Sequence, residues 1–106
     1  MLDAAEKAVR RAEGRSVDDL VADEDLLLVL TRLLEILGEA AKNVPASIRD
    51  ANPGVPWREI ARTRDRVIHR YFDVDHEMIW KIVSEELPPL IPQLARILAE
   101  ESEGSS

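Results

Sequence analysis

Asp23-Glu24-Asp25-Leu26-Leu27-Leu28-Val29-Leu30-Thr31-Arg32-Leu33-Leu34-Glu35-Ile36-Leu37-Gly38-Glu39-Ala40-Ala41-Lys42-Asn43 is the longest apolar-periodic run in the chain. Leu27, Leu30, Leu34, Leu37, Ala41 and Val44 form one stripe at helical spacing, and Leu26, Val29, Leu33, Ile36 and Ala40 form a second beside it. Thr31, Arg32, Glu35, Glu39 and Lys42 are left for solvent. A stripe this wide exceeds what one packed face needs. The run reads as the central helix of a bundle, and its second stripe reads as a dimer interface; the two readings are compatible.

Composition supports an all-α domain. The chain has 106 residues, abundant Leu, Ile and Val, only 4% aromatic residues and 4 glycines. That length makes one domain with a modest core. Residues 1–99 are expected to form it, with 100–106 a polar, frayed tail. A net charge of −7 argues against general coating of nucleic acid or of anionic membranes, while leaving room for a local basic site. Without cysteine there is no disulfide framework and no thiolate metal site. Neither an export signal at Met1 nor an apolar run of membrane-spanning length is evident, so the expected compartment is the cytoplasm.

Outward from the central run, local signals mark the other elements. Leu2, Ala5 and Val9 place a short amphipathic helix ahead of Gly14, and Ser16 with Asp19 resembles a capping box that starts a second piece through Val21. Pro45 suits the first position of a short helix ended by Asn52-Pro53-Gly54. Pro56 opens a helix whose apolar positions run from Trp57 to Tyr71 or Phe72, and Asp73-Val74-Asp75 is the next break, with Asp75 as N-cap. The last helix is expected to be interrupted at Pro88-Pro89 and to resume through Leu98.

The chemistry gathers in Arg62-Thr63-Arg64-Asp65-Arg66-Val67-Ile68-His69-Arg70-Tyr71. Arg58, Arg62, Arg64, Arg66 and Arg70 face only Glu59 and Asp65 between Trp57 and Tyr71, so the segment is positive on a negative protein. Arginine's fork of donors matches two phosphate oxygens, although such arginines also pair with acids of neighbouring helices. His69 is the acid/base candidate by its near-neutral pKa class, or a histidine satisfied by Asp65 or Asp73 one turn away. Tyr71 on a continuous helix lies two turns from Arg64 on one face, and also fits a core-edge tyrosine. His69 lies about 140° around such a helix from Arg64. The helix must therefore begin or bend between them, or the site must combine Arg64 of one chain with His69 of another. His69, Asp73 and His76 have a spacing open to a metal, but Asp73 and Asp75 suit a turn and cap better, so no metal site is expected.

These residues resemble a known family. Arg64, four residues, His69, any residue and Tyr71 match the motif of the HepT-like ribonuclease toxins of the HEPN superfamily, and Leu33–Lys42, Pro56–Ala61 and Tyr71–Asp75 match how such proteins read. Asp65 stands where many relatives have asparagine, and the first helix is short. The resemblance implies an all-α, HEPN-type antiparallel bundle of four main helices plus short pieces, dimeric, with two motifs facing one cleft. It implies a metal-independent endoribonuclease needing no cofactor, with Arg64 and His69 catalytic and Asp65 and Arg66 supporting. His69 of the two protomers would supply base and acid, and Arg64 would hold the scissile phosphate. It also implies RNA rather than DNA as substrate and an MntA-like nucleotidyltransferase antitoxin as partner, which transfers AMP from ATP onto Tyr71. The alternative is a catalytically silent module that binds such a nucleotidyltransferase, or a nucleotide.

Overall fold

The computed structural model describes residues 1–68 and 74–104, the side chains of 102–104 apart. Helix α1, Leu2–Ala12, ends ahead of Gly14, whose φ of +71° is the left-handed value that favours glycine. The capping box forms as expected. The Ser16 hydroxyl accepts from the Asp19 amide at 3.3 Å, the Asp19 carboxylate accepts from the Ser16 amide at 2.8 Å, and α2 runs over Val17–Ala22. Asp23 then caps α3, Glu24–Lys42, its carboxylate accepting from the Leu26 amide at 3.1 Å.

Helix α3 is the central element, packing against α1 and α2 and against three later helices. Its buried positions are Leu26, Leu30, Leu34, Leu37, Gly38 and Ala41. The first expected stripe is thus largely the core face, joined by Leu26 from the second. The remainder of the second stripe is only partly covered, and Ile36 is 41% exposed. Leu30 and Leu34 join Leu20, Val67, Ile79, Val83 and Leu87 in a core that water hardly reaches. Each such burial is worth roughly 1.5–3 kcal/mol. Surface ion pairs such as Lys7–Asp3, at 3.0 Å with both side chains mostly exposed, are worth about 1 kcal/mol at most. Core packing therefore dominates stability.

Pro45 caps α4, Ala46–Ala51, one residue earlier than its expected position inside the helix. After the turn at Asn52-Pro53-Gly54, the single helix expected from Pro56 to Tyr71 or Phe72 is instead two short ones: α5, Trp57–Ala61, and α6, Thr63–Val67. Two causes are visible. The buried Thr63 hydroxyl donates to the Ile60 carbonyl at 2.6 Å, fixing a bend at Arg62. Beyond it, β-branched Ile68 leaves the helix after Val67: it is extended, with φ −112° and ψ 118°, and pairs with Val74 in an antiparallel bridge.

Asp75 caps α7, His76–Lys81, accepting from the Met78 amide at 2.9 Å. The interruption expected at Pro88-Pro89 lies just upstream and takes the form of a π turn, Ile82–Glu86, which leads into α8, Leu87–Gly104. Proline lacks an amide donor and its ring collides with the carbonyl four residues back. The π turn covers the carbonyls of Ser84 and Glu85, four residues before Pro88 and Pro89, and the chain continues beyond it as α8, with Pro92 inside the helix. Helix α8 also carries the backbone through Gly104, into the segment expected to fray.

Candidate active site

Gly38 sets the position of the arginine-bearing elbow. A Cβ on Gly38 would lie 3.2 Å from the Ile60 carbonyl oxygen, 3.6 Å from that of Ala61 and 3.8 Å from Thr63 Cβ. Its bare backbone thus lets the junction of α5 and α6 settle directly on α3. With Thr63 and Val67 buried on one side of α6, Arg64 and Asp65 project to solvent on the other. The Arg64 side chain makes no hydrogen bond or ion pair among the described residues, and it borders a depression shared with Arg32, Glu35, Gly38, Glu39 and Lys42. An exposed guanidinium offers planar forked donors that suit an anion.

Arg66 is differently placed. Its two terminal nitrogens donate to both Glu86 carboxylate oxygens, at 2.8 and 2.7 Å, and one also meets the Met78 sulfur at 3.5 Å. Both side chains of the pair are partly buried. The fork from Arg66 holds the Glu86 carboxyl below the usual carboxylate range, and the same hydrogen bonds raise the Arg66 guanidinium further above its ordinary value. This guanidinium fastens α6 to the π turn, so its support for a site is positional. Glu86 was not singled out in the sequence, because its partner lies 20 residues away and no local pattern links them. Gly38 did carry a signal: a glycine on the buried face of a strongly apolar helix marks close backbone approach.

His69, Arg70, Tyr71, Phe72 and Asp73 lie outside the described residues, as does therefore most of the His69–Asp73–His76 spacing. The described residues on either side are joined by the Ile68–Val74 bridge and by the Asp75 amide donating to the Val67 carbonyl at 2.8 Å. Because α6 ends at Val67, the helical geometry expected to relate Arg64 to His69 and Tyr71 does not apply. The beginning or bend expected between Arg64 and His69 takes the form of a helix end at Val67 followed by extended Ile68, and His69 itself lies beyond what is described.

Fold and elbow together define a class, the small all-α bundles of HEPN type. The family model described as "Ribonuclease HepT-like" matches residues 1–97, and the chain belongs to that ribonuclease family. It is 42% identical over 101 residues to the protein named "Putative RNase TTE0752" of Caldanaerobacter subterraneus subsp. tengcongensis, covering 95% of this chain and 90% of the relative. It is 45% identical over 73 residues to the protein named "Probable ribonuclease HepT" of Thermococcus cleftensis, covering 69% of this chain and 66% of that one. No solved structure gives a match. Among the described residues no helix is long and apolar enough to cross a membrane.

Proposed function

We propose that this chain is a metal-independent endoribonuclease toxin that cleaves RNA at a site composed across a homodimer. The observation that carries the reading is Arg64, exposed and unpaired among the described residues, five residues before His69 in a chain whose family match spans residues 1–97. The dimer is supported by the second stripe of α3, which a single chain leaves partly uncovered at Val29, Leu33, Ile36 and Ala40. Two-fold symmetry would place two copies of the motif across one cleft.

In this mechanism His69 of one protomer takes the proton of the ribose 2′-hydroxyl, and that oxygen attacks the adjacent phosphorus. The bond to the 5′-oxygen breaks, His69 of the other protomer protonates the leaving oxygen, and a 2′,3′-cyclic phosphate remains. Arg64 stabilises the charge that builds on the phosphorane oxygens. Asp65, exposed beside Arg64, and Arg66, fastened to Glu86, hold the surroundings. A nucleotidyltransferase antitoxin would silence the enzyme by moving AMP from ATP onto Tyr71 with release of pyrophosphate, the added anion repelling the RNA backbone.

The test is cleavage of mixed RNA in EDTA by the protein, by Arg64→Ala and by His69→Ala, with the new ends analysed. Cyclic phosphate ends made by the parent and lost in both variants are expected. Equal cleavage by the parent and His69→Ala would refute the mechanism. Absence of cleavage by parent protein with unmodified Tyr71 would favour the silent binding module.

A further inference from the structure

We propose that the face formed by α4, α5 and the end of α3 is a second RNA-contacting surface, a groove that holds the strand flanking the scissile phosphate. The proposal rests on the ribonuclease reading and adds the residues that would carry affinity. Beside the Arg64 depression lies a wider one of about 610 Å³, bordered by Lys42, Arg49, Arg58 and Arg62 around Trp57, with Asp50 its one carboxylate among the described residues. The two depressions share Lys42 and Ala61, so the surface is continuous with that of Arg64, where Glu35 and Glu39 stand beside Arg32 and Lys42 and only Arg64 is without a contacting carboxylate among the described residues.

The charge balance makes this face unusual. The chain as a whole has 21 acidic and 14 basic residues. Yet the side chains of Arg49, Arg58 and Arg62 are exposed and make no hydrogen bond or ion pair among the described residues, and Lys42 has only an exposed contact to Glu39 at 3.4 Å. Like charges left together and unneutralised repel one another, and a polyanion would relieve that repulsion. Trp57 adds the second element of a single-strand groove. Its indole N–H is satisfied by the Asn52 carbonyl at 3.0 Å, so its half-buried ring offers carbon surface for a base to lie on. The acidic remainder of the protein then discourages RNA from binding elsewhere.

Binding should be measured with a single-stranded 2′-O-methyl oligonucleotide on the order of 12 nucleotides long, which cannot be cleaved through its own 2′-hydroxyl. The comparison is between the parent, the double variant Arg49→Gln/Arg58→Gln, and Arg10→Gln/Arg11→Gln, which removes the same charge from α1. All four substituted arginines are exposed, so folding should survive and is checked by circular dichroism. Each phosphate contact on a single strand contributes about −0.7 to the slope of log K against log salt. Losing two should therefore reduce the slope by about 1.4, so that the advantage of the parent shrinks about 7-fold between roughly 50 and 200 mM salt. The α1 variant should keep the parent's slope. A groove variant with the parent's slope would overturn the proposal and point to an acidic protein as the partner of this face. An equal fall in both variants would overturn it in favour of net charge alone. Cleavage of unmodified RNA by the parent, measured separately, decides the ribonuclease reading independently of these outcomes.

Discussion

Replacing Glu86 with Gln should destabilise the protein in a way that depends on pH, because it removes the charge of one fork of the clasp between α6 and the π turn. The pair has good geometry, two parallel N–H···O contacts at 2.7–2.8 Å, and charge-assisted hydrogen bonds are worth about 1.5–3 kcal/mol each when water is excluded. Solvent still reaches 24% of the Arg66 side chain and 34% of that of Glu86. Screening brings the pair toward the surface range of below about 1 kcal/mol. A net loss of about 1–2 kcal/mol at neutral pH follows, equivalent to a fall of roughly 4–10 °C in Tm for a domain of this size. The sign with pH is fixed by the depressed Glu86 carboxyl. Its contribution is complete above the unfolded glutamate value, about 4.3, and is lost as the pH falls from there through the lower folded value. Thermal unfolding by circular dichroism at one protein concentration, from pH 7 downward, is the assay. The gap between parent and Glu86→Gln should be widest at neutral pH and close in acid. A gap within about 0.3 kcal/mol at pH 7, or one that widens as pH falls, would refute the clasp.

Gly38→Val should cost about 1–3 kcal/mol in urea unfolding, since its branched side chain must displace the Ile60 carbonyl that already lies 3.2 Å from an added Cβ. Gly38→Ala should be far milder, because the helix-propensity gain of up to about 1 kcal/mol offsets the tighter contact. If the elbow positions Arg64, the valine variant should also lose RNA cleavage beyond what its unfolded fraction explains. Ser16→Ala removes the acceptor of the capping box and should lower stability by about 1 kcal/mol in the same unfolding assay, with cleavage unchanged.

The site was readable only in part. Arg64 could be singled out because charge and spacing are local properties, and the structure places it in the open. The two roles of neighbouring arginines could not be separated in the same way. Arg64 and Arg66 stand two residues apart with the same chemistry, but among the described residues only Arg66 meets a carboxylate, which arrives from the π turn. The basic depression around Trp57 was likewise hidden, since Arg49 and Arg58 come from different helices and meet across a turn.

By itself the sequence determined those features whose causes act within about one helical turn. The caps at Ser16 and Asp75, the stop ahead of Gly14 and the core stripe of α3 each depend on residues close in sequence, and each forms as its pattern requires. Only the tertiary structure decided the elbow at Arg62, the end of α6 at Val67 and the clasp from Arg66 to Glu86. Helical periodicity runs smoothly through Trp57, Ile60, Ala61 and Val67, so the apolar pattern gives no sign of a bend there. The bend combines the Thr63 bond to the Ile60 carbonyl with the seat that Gly38 offers on α3, the extended backbone at Ile68 pairs with Val74, and the clasp comes from a carboxylate brought by a distant turn. Contacts of that range outweigh helical propensities of at most a few tenths to one kcal/mol per residue.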